Sequence, residues 1–595
     1  MTNPLIDDRL VELLLDDVVQ ADALCRLPYF AEHSRETFEL YLASCRRLAR
    51  DALFAAYRPM DEAPPTLVDG RVKLHPRMHA LWPRIVELGA IGATRPAEVG
   101  GQQLPITVAT LAHAYLMAAN LSAVGLAGLT SGAAHLIEAF GDDDVRARFL
   151  APMMEGRWTG TMALTEPQAG SSLADLTTRA TPAADGTYRI HGSKIFISGG
   201  DHDVAENVVH LTLARIDGAP AGTRGVSLFA VPRLRVENGA LVPNDLHVSG
   251  VIHKIGWRGL PSLALSYGDA GDCHGWLVGA PHRGLPQMFQ MMNEARIMVG
   301  VNAAATASVA YHEALAYARE RVQGRPPSAK DASTPPVPII DHADVRRMLL
   351  RQKAIVDASV CLAAITGRYA DLAEHAETQP ERDRARVLLD LLTPVTKSFP
   401  AERGFEANAL SVQVHGGYGY SSEYLPEAWL RDQKLNSIHE GTTGIQSLDL
   451  LGRKVVAQGG AALMAFAGEV RADLERAATI GVEKSLLEPV STALDRVLAL
   501  TMTLGQRGLT GDVEGMLAHS ADYLELFSIL VTSWQHVLLA TAATRRLASR
   551  DDGYLRGLVA SARYWIATEV PRIEVLARLC EGPERSYLDL DPAWL

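Results

Sequence analysis

Basic excess is the first thing this sequence lacks. Its 57 lysines and arginines face 69 aspartates and glutamates, for a formal net charge of −12 and a pI near 5.9. That balance disfavours a surface that coats nucleic acid. Cysteine is scarce: Cys25, Cys45, Cys273, Cys361 and Cys580 lie far apart, with no C-x-x-C pair. An odd, scattered set makes no disulfide framework and reads as free thiols in a reducing compartment. No apolar stretch approaches the ~18–20 residues of a membrane span, so none is expected. The start has no basic segment followed by an apolar run, and the ending Pro592-Ala593-Trp594-Leu595 matches no organelle address. A soluble, cytoplasmic protein is expected. Several catalytic signatures are also missing. No G-x-G-x-x-G follows a strand, and there is no P-loop. No G-x-S-x-G elbow occurs. His312-Glu313 lacks the second histidine of a zinc helix, and no metal site is expected.

What is present is a large, ordinary globular composition, 48% apolar and 21% charged in 595 residues. Apolar spacings of three and four predict helix over residues 1–58, broken near Leu27-Pro28-Tyr29-Phe30, and again from Met78 to about Phe149. Residues 59–76 read as a connection. From Trp158 to about Val278, β-branched runs such as Val208-Val209-His210-Leu211-Thr212-Leu213 alternate with turns, which predicts an antiparallel sheet or small barrel. Helices return over 287–321, 346–374, 381–409 and 441–456. The stretch 325–340, with five prolines, reads as an exposed insertion. Gly459-Gly460 reads as a hinge before a last helical unit. The domains expected are 1–158, 159–280, 281–457 and 458–595, in the order α, β, α, α.

Four segments stand out. Met162-Ala163-Leu164-Thr165-Glu166-Pro167-Gln168-Ala169-Gly170-Ser171-Ser172 offers backbone N–H and hydroxyl donors to an anionic or carbonyl-rich ligand. Lys194-Ile195-Phe196-Ile197-Ser198-Gly199-Gly200 is a strand ending in glycines, and alternation would put Phe196 and Ser198 on one side. Gln413-Val414-His415-Gly416-Gly417-Tyr418-Gly419-Tyr420 is a helix breaking into glycines. His439-Glu440-Gly441-Thr442-Thr443-Gly444-Ile445-Gln446 sets a carboxylate before a helix. Singly, these are a turn, a strand end, a helix stop and a helix-terminal acid favoured by the dipole. The set, in this order and spacing, is far more specific.

Together the segments resemble the acyl-CoA dehydrogenase family over about residues 80–455. The extended start and helical tail resemble its long bacterial subgroup, which includes 3-methylmercaptopropionyl-CoA dehydrogenases. The resemblance implies an α+β multidomain fold with a helical N-terminal domain, a central β domain, a helical bundle and an added helical C-terminal domain. It implies FAD and the α,β-dehydrogenation of an acyl-CoA thioester in fatty acid metabolism, with electrons passed to an electron-transfer flavoprotein. Glu440 matches the base that takes the α-proton. Its backbone N–H, with a flavin ribityl hydroxyl, would polarise the thioester carbonyl. Some relatives place the base just before an arginine like Arg296, where this chain has Ala295; Glu294 is one step further back, and Glu440 is preferred. Met162, Leu164, Thr165, Gly170, Ser171, Phe196, Ser198 and Thr442 match flavin contacts. Phe196 stands where many relatives have Trp, keeping the stacking face and losing the indole N–H. Arg321 and Gln323 match an element reaching the partner subunit's FAD, although its usual Phe is absent from Arg321-Val322-Gln323-Gly324-Arg325. Gln413 and Gly417 match contacts to the same partner cofactor, and Gly444 replaces a common glutamine. Ser171, Asn293, Arg296, Glu440 and Gly441 match substrate-binding positions.

The family's crossed contacts imply a homo-oligomer, and the tail favours a dimer over a tetramer. Two other readings compete: an acyl-CoA oxidase, and a DNA-binding alkylation-response flavoprotein with a basic tail. Residues 461–595 hold 13 lysines and arginines against 18 acidic residues, a net of −5. The cluster Arg545, Arg546 and Arg550 is followed by Asp551 and Asp552. DNA binding is therefore not expected.

Overall fold

The computed structural model describes residues 3–328, 331 and 333–595. They form two compact units. One contains residues 3–35, Pro105–Ala114 and Arg296–Leu595, and the other Glu36–Leu104 and Tyr115–Ala295.

The chain starts with helices α1 (Asp8–Leu13), α2 (Arg35–Leu48) and α3 (Phe54–Glu62). A hairpin of β1 (Thr66–Val68) and β2 (Arg71–Lys73) follows, where only a connection was expected. Its turn residues Asp69 and Gly70 both have positive φ, 49° and 75°, as a tight Asp-Gly hairpin requires. Then come α4 (Pro76–Glu87), α5 (Ile106–Phe140) and α6 (Asp143–Met154). The Asp142 side chain accepts the Val145 N–H at the start of α6, and Asp143 and Asp144 fill its first turn.

The strands are β3 (Trp158–Ala163), β4 (Arg179–Pro182), β5 (Tyr188–Ser198), β6 (Asn207–Ile216), β7 (Val226–Pro232), β8 (Leu234–Glu237), β9 (Ala240–Pro243), β10 (Leu246–Val251), β11 (Ser262–Tyr267) and β12 (His274–Val278). The main sheet runs β10-β11-β5-β12-β7-β6-β3. Strand β4 pairs with both β5 and β6, closing β5-β12-β7-β6-β4 into a ring. The sheet is not purely antiparallel: β3 and β4 each pair with β6 in parallel. Sequence alternation marks a strand but carries no direction. Strand β7 is buried throughout, and its Val226, Leu228 and Ala230 join Leu136, Ile137, Phe149 and Trp158 in the apolar core of this unit.

Helices α7 (Gly284–Glu320), α8 (Ala343–His375), α9 (Gln379–His415), α10 (Pro426–Lys434) and α11 (Thr443–Asp449) follow. The tail contains α12 (Ala461–Ile480), α13 (Lys484–Leu509), α14 (Val513–Leu517), α15 (Ser520–Leu547), α16 (Gly553–Glu569), α17 (Arg572–Glu581) and α18 (Ser586–Asp589). Thr378 and Glu381 start α9 with a reciprocal capping box. In the first unit, Gly300 lets α7 reach α9 so closely that a Cβ there would lie 2.0 Å from the Thr396 carbonyl oxygen. Ion pairs fasten the tail to the bundle: Arg351, itself held by Glu406 of α9 at 2.8 Å, binds Glu569 at 2.6 Å, and Arg403 binds Glu525 at 2.7 Å. The residues before α2 join the same unit. Arg546 holds Asp17 at 2.6 Å and Glu12 at 2.9 Å, and the Arg9 guanidinium lies over the Tyr554 ring.

Two helices correct the expectation about long apolar stretches. Ile106–Phe140 and Ser520–Leu547 are long and apolar enough to cross a membrane, and their apolar windows are 61% and 89% buried within the protein. Alanine and leucine over several turns serve a protein core as well as a bilayer. The first of these helices also breaks at Asn120 (φ −168°, ψ 87°), whose side chain accepts the Ala123 N–H and restarts the helix.

Candidate active site

Glu440 lies in a short loop between the turn Leu435–Ser437 and α11. Its backbone is left-handed, with φ 54°, and Gly441 follows at φ 88°. A left-handed non-glycine residue costs on the order of 1–3 kcal/mol, so the surroundings must enforce it. They do so from both sides. Gln446 Nε2 donates to the Glu440 carbonyl at 3.2 Å and the Gly441 carbonyl at 3.3 Å. Gly441's φ favours glycine, and a Cβ there would sit 2.6 Å from that same Nε2 and push it off the carbonyls. Thr442 caps α11 by accepting the Ile445 N–H, and Thr443 Oγ1 donates to the Glu402 carboxylate on α9. Burial pushes the Glu440 carboxyl above its ordinary range, while Arg296 and Lys397 pull it back. Burial thus favours the neutral carboxyl, and the two cations favour the carboxylate.

Arg296 is buried, and its Nη1 is bound to Asp449 Oδ2 at 2.9 Å. Its Nε has no hydrogen-bond partner among the described residues. Asn293, expected beside it at the substrate, is half-buried on the same helix. Glu294 differs from Glu440. Burial would raise its carboxyl, but His135 at 3.4 Å and Arg95 at 3.7 Å draw it below the ordinary range. A carboxylate drawn down in this way is less suited to take a proton than one raised by burial.

The second unit carries the expected flavin-contact residues of the β domain. Met162 in β3 and Leu164 just after it pack half-buried on the core. The Thr165 carbonyl accepts the Ile195 N–H, and Glu166 and Ala169 exchange backbone hydrogen bonds across the turn. The Glu166 carboxylate fixes this turn. It accepts the N–H and hydroxyl of both Thr177 and Thr178, and binds Lys194 Nζ at 2.9 Å. Gly170 and Ser171 are left exposed at its edge. In β5, Ile195 and Phe196 stand together opposite Ala264, a bulge that gives Phe196 a φ of 60°. The simple alternation expected of Phe196 and Ser198 does not hold there. Phe196 is 60% exposed, and Ser198 is half-buried with its carbonyl accepting Thr161 Oγ1. An exposed aromatic held in a strained conformation beside an open, donor-rich turn fits a planar cofactor with a phosphate arm.

In the first unit the ends of α7 and α9 share an apolar cluster of Ala314, Ala318, Met348, Leu349 and Val414. Tyr317 stacks on His415 with ring centroids 4.4 Å apart. Arg321 and Gln323 follow α7, and Gln413 and Gly417 lie at the end of α9; all four are exposed. The Gln323 backbone is fixed, its N–H donating to Val337 O and its carbonyl meeting His342 Nε2 at 2.8 Å. Thr442 serves as a helix cap, and Gly444 has space around it, the nearest atom to a Cβ there being Thr442 Oγ1 at 3.8 Å. No cluster of three or more potential metal ligands occurs among the described residues.

Three residues in this arrangement escaped the sequence reading as functional groups. Gln446 was visible only as part of the fourth motif. Asp449 lies 153 positions from its partner Arg296. Lys397, fully buried in α9, carries no local pattern that sets it apart.

Four family models match the chain in order. They are the acyl-CoA dehydrogenase N-terminal domain over 42–157, its middle domain over 161–270 and its C-terminal domain over 282–455, then an acetyl-CoA dehydrogenase C-terminal-like model over 466–591. The 3-methylmercaptopropionyl-CoA dehydrogenase of Ruegeria pomeroyi is 41% identical over 83% of this chain and 84% of its own length. A broad-specificity linear acyl-CoA dehydrogenase of Mycobacterium tuberculosis is 31% identical over 95% of both chains. Among solved structures, the acyl-CoA dehydrogenase of Bacillus anthracis complexed with FAD superposes with a TM-score of 0.74 at 20% identity, over 96% of this chain and 91% of that one. With its loop carboxylate, strained aromatic and four matched domains in sequence, the chain belongs to the acyl-CoA dehydrogenase family of FAD-dependent oxidoreductases.

Proposed function

We propose that this protein removes the α-proton and β-hydrogen of an acyl-CoA thioester, forming the trans-2-enoyl-CoA, with Glu440 as the base. The observation that carries the reading is the Glu440 carboxyl itself, raised by burial and set on a loop that Gln446 and Gly441 hold in a left-handed conformation. Its N–H is the donor offered to the thioester carbonyl, which acidifies the α-carbon. Glu440 then takes the α-proton on a carboxylate oxygen. A bound FAD supplies the acceptor for the β-hydrogen. Met162, Leu164, Thr165, Gly170, Ser171, Phe196, Ser198 and Thr442 are the residues assigned to hold its flavin. Arg321 and Gln323 are assigned to a partner's FAD, and Gln413 and Gly417 to its ADP part, which makes a homodimer the smallest working unit. Ser171, Asn293, Arg296 and Gly441 are assigned to substrate. Electrons leave to an electron-transfer flavoprotein in the cytoplasm.

The test is anaerobic bleaching of the flavin band by a panel of thioesters. One relative is named for a short thioether acyl group and another for linear acyl groups. The panel therefore runs from 3-methylmercaptopropionyl-CoA and butyryl-CoA to octanoyl- and palmitoyl-CoA. Bleaching that Glu440→Gln abolishes supports the assignment. Equal bleaching in that variant removes Glu440 as base. Stoichiometric hydrogen peroxide in air would make the protein an oxidase instead.

A further inference from the structure

Lys397 is a buried charge for which the reaction above has no use. It lies in α9 within Leu391–Ala401, a stretch buried throughout. Its side chain is fully buried, and its ammonium has no hydrogen-bond partner among the described residues. Desolvating an ammonium without a partner is costly to a fold. Lys194, equally buried, shows the usual solution: it is bonded to Glu166 and to the carbonyls of Leu164 and Leu213.

The first unit fixes what faces Lys397. The contact at Gly300 sets α7 against Thr396, and Arg296 lies one turn before Gly300. The Thr443–Glu402 hydrogen bond ties the Glu440 loop to α9 little more than a turn beyond Lys397. The titratable and charged groups gathered here are Lys397 and Glu402 from α9, Arg296 from α7, and His439 and Glu440 from the loop. Asp449 ends α11, and Arg453 follows in the next turn. Most of these are engaged. Arg296 is paired with Asp449 at 2.9 Å, and Asp449 also with Arg453. Glu402 is exposed and bonded to Thr443. His439 is pushed down to about 3 by burial and by Lys397, so it is neutral. Arg296, although paired with Asp449, pulls hardest on the Glu440 carboxyl and Lys397 next, and neither makes an ion pair with it among the described residues.

We propose that Lys397 is a positioning residue for the dehydrogenation: its buried positive charge, near Glu440 but not bonded to it, favours the carboxylate form against burial and leaves the carboxylate oxygens free to accept a proton. The proposal rests on Glu440 being the base. The physical reason lies between two failures. Burial alone disfavours the charged carboxylate, the form that takes the α-proton. A direct ion pair would lock the carboxylate, as it does Glu166. A cation at a distance offsets burial without occupying the carboxylate oxygens. Burial also pushes Lys397 down, to about 8, with Glu402 and Glu440 opposing, so it stays charged at neutral pH.

The test uses the holoenzyme and the acyl-CoA of the panel that bleaches it fastest. Lys397→Met removes the charge and keeps an unbranched side chain. The acid limb of the flavin-reduction rate is expected to move up by about one pH unit, while Lys397→Arg keeps it in place. A second readout needs no turnover: the Glu440 carboxyl stretch, isolated by infrared difference against Glu440→Gln, should titrate about one unit higher in Lys397→Met. Lys397→Gln is measured in parallel as a second neutral replacement. An unmoved limb and an unmoved infrared midpoint in a neutral variant that binds FAD overturn the inference, even while Glu440→Gln blocks reduction. Reduction of Glu440→Gln at the parent rate would instead overturn the base assignment, and the inference with it.

Discussion

Glu166 and Glu440 make an instructive pair. Each opens a motif rich in glycine and hydroxyl residues, and each has a fully buried lysine within its electrostatic reach. At Glu166 the lysine is in contact, at 2.9 Å, and four donors from Thr177 and Thr178 join Gln168 Nε2 around the carboxylate. Burial would raise that carboxyl, but Lys194 and the threonines outweigh it and hold it at about 2. At Glu440 the lysine stands off, the side chain has no ion pair among the described residues, and burial wins. The same two residue types thus give a structural lock or, on the function proposed above, a base, and the deciding variable is whether the carboxylate's lone pairs are already satisfied.

The largest effect that can break this comparison is at the reactive end. Glu440→Gln should lower the rate of flavin reduction by roughly 10²–10⁴-fold in single-turnover kinetics, with no loss of thermal stability. The next is at the lock. Lys194→Met strands a buried carboxylate and should cost about 3–5 kcal/mol in denaturant unfolding, whereas Lys397→Met removes an unpartnered ammonium and should leave stability equal or higher. A drop as large in Lys397→Met as in Lys194→Met would erase the distinction. Gln446→Leu frees the two carbonyls of the strained loop and should slow reduction about tenfold while FAD affinity, measured by titration, is kept. The smallest effect is on acid stability. The depressed Glu166 carboxyl stabilises the fold fully above the ordinary carboxylate range, and this contribution is lost as pH falls from about 4 towards about 2. Glu166→Gln should therefore flatten the pH dependence of melting in that window.

The helices and the position of the β region were legible because their periodicity is local. So was the Glu440 motif, since a carboxylate, a glycine and a helix-capping threonine are consecutive in the chain. The β3–β6 parallel pairing was not, because strand alternation is the same in either direction. The bulge at Phe196 was invisible for a related reason: it depends on the register against Ala264 in another strand. The Asp69-Gly70 hairpin was written plainly in the sequence, but its strands are only three residues long and mostly exposed, so they lack an apolar pattern. Arg296 and Lys397 show the deeper limit. Their surroundings come from α9 and α11, and nothing adjacent in sequence says that one arginine is paired and one lysine is not.

The clasp between the opening helix and the tail has a consequence for how the chain is made. Arg546 and Asp17 are separated by 529 positions yet share one hydrogen bond in one compact unit. At about 5–20 residues per second on the ribosome, the first acidic turn waits roughly half a minute to nearly two minutes for its arginine. Until then Leu10, Leu13 and Leu14, all buried in the finished unit, have no completed core to enter. The segment around Asp17 thus waits for its partner through the length of everything translated in between.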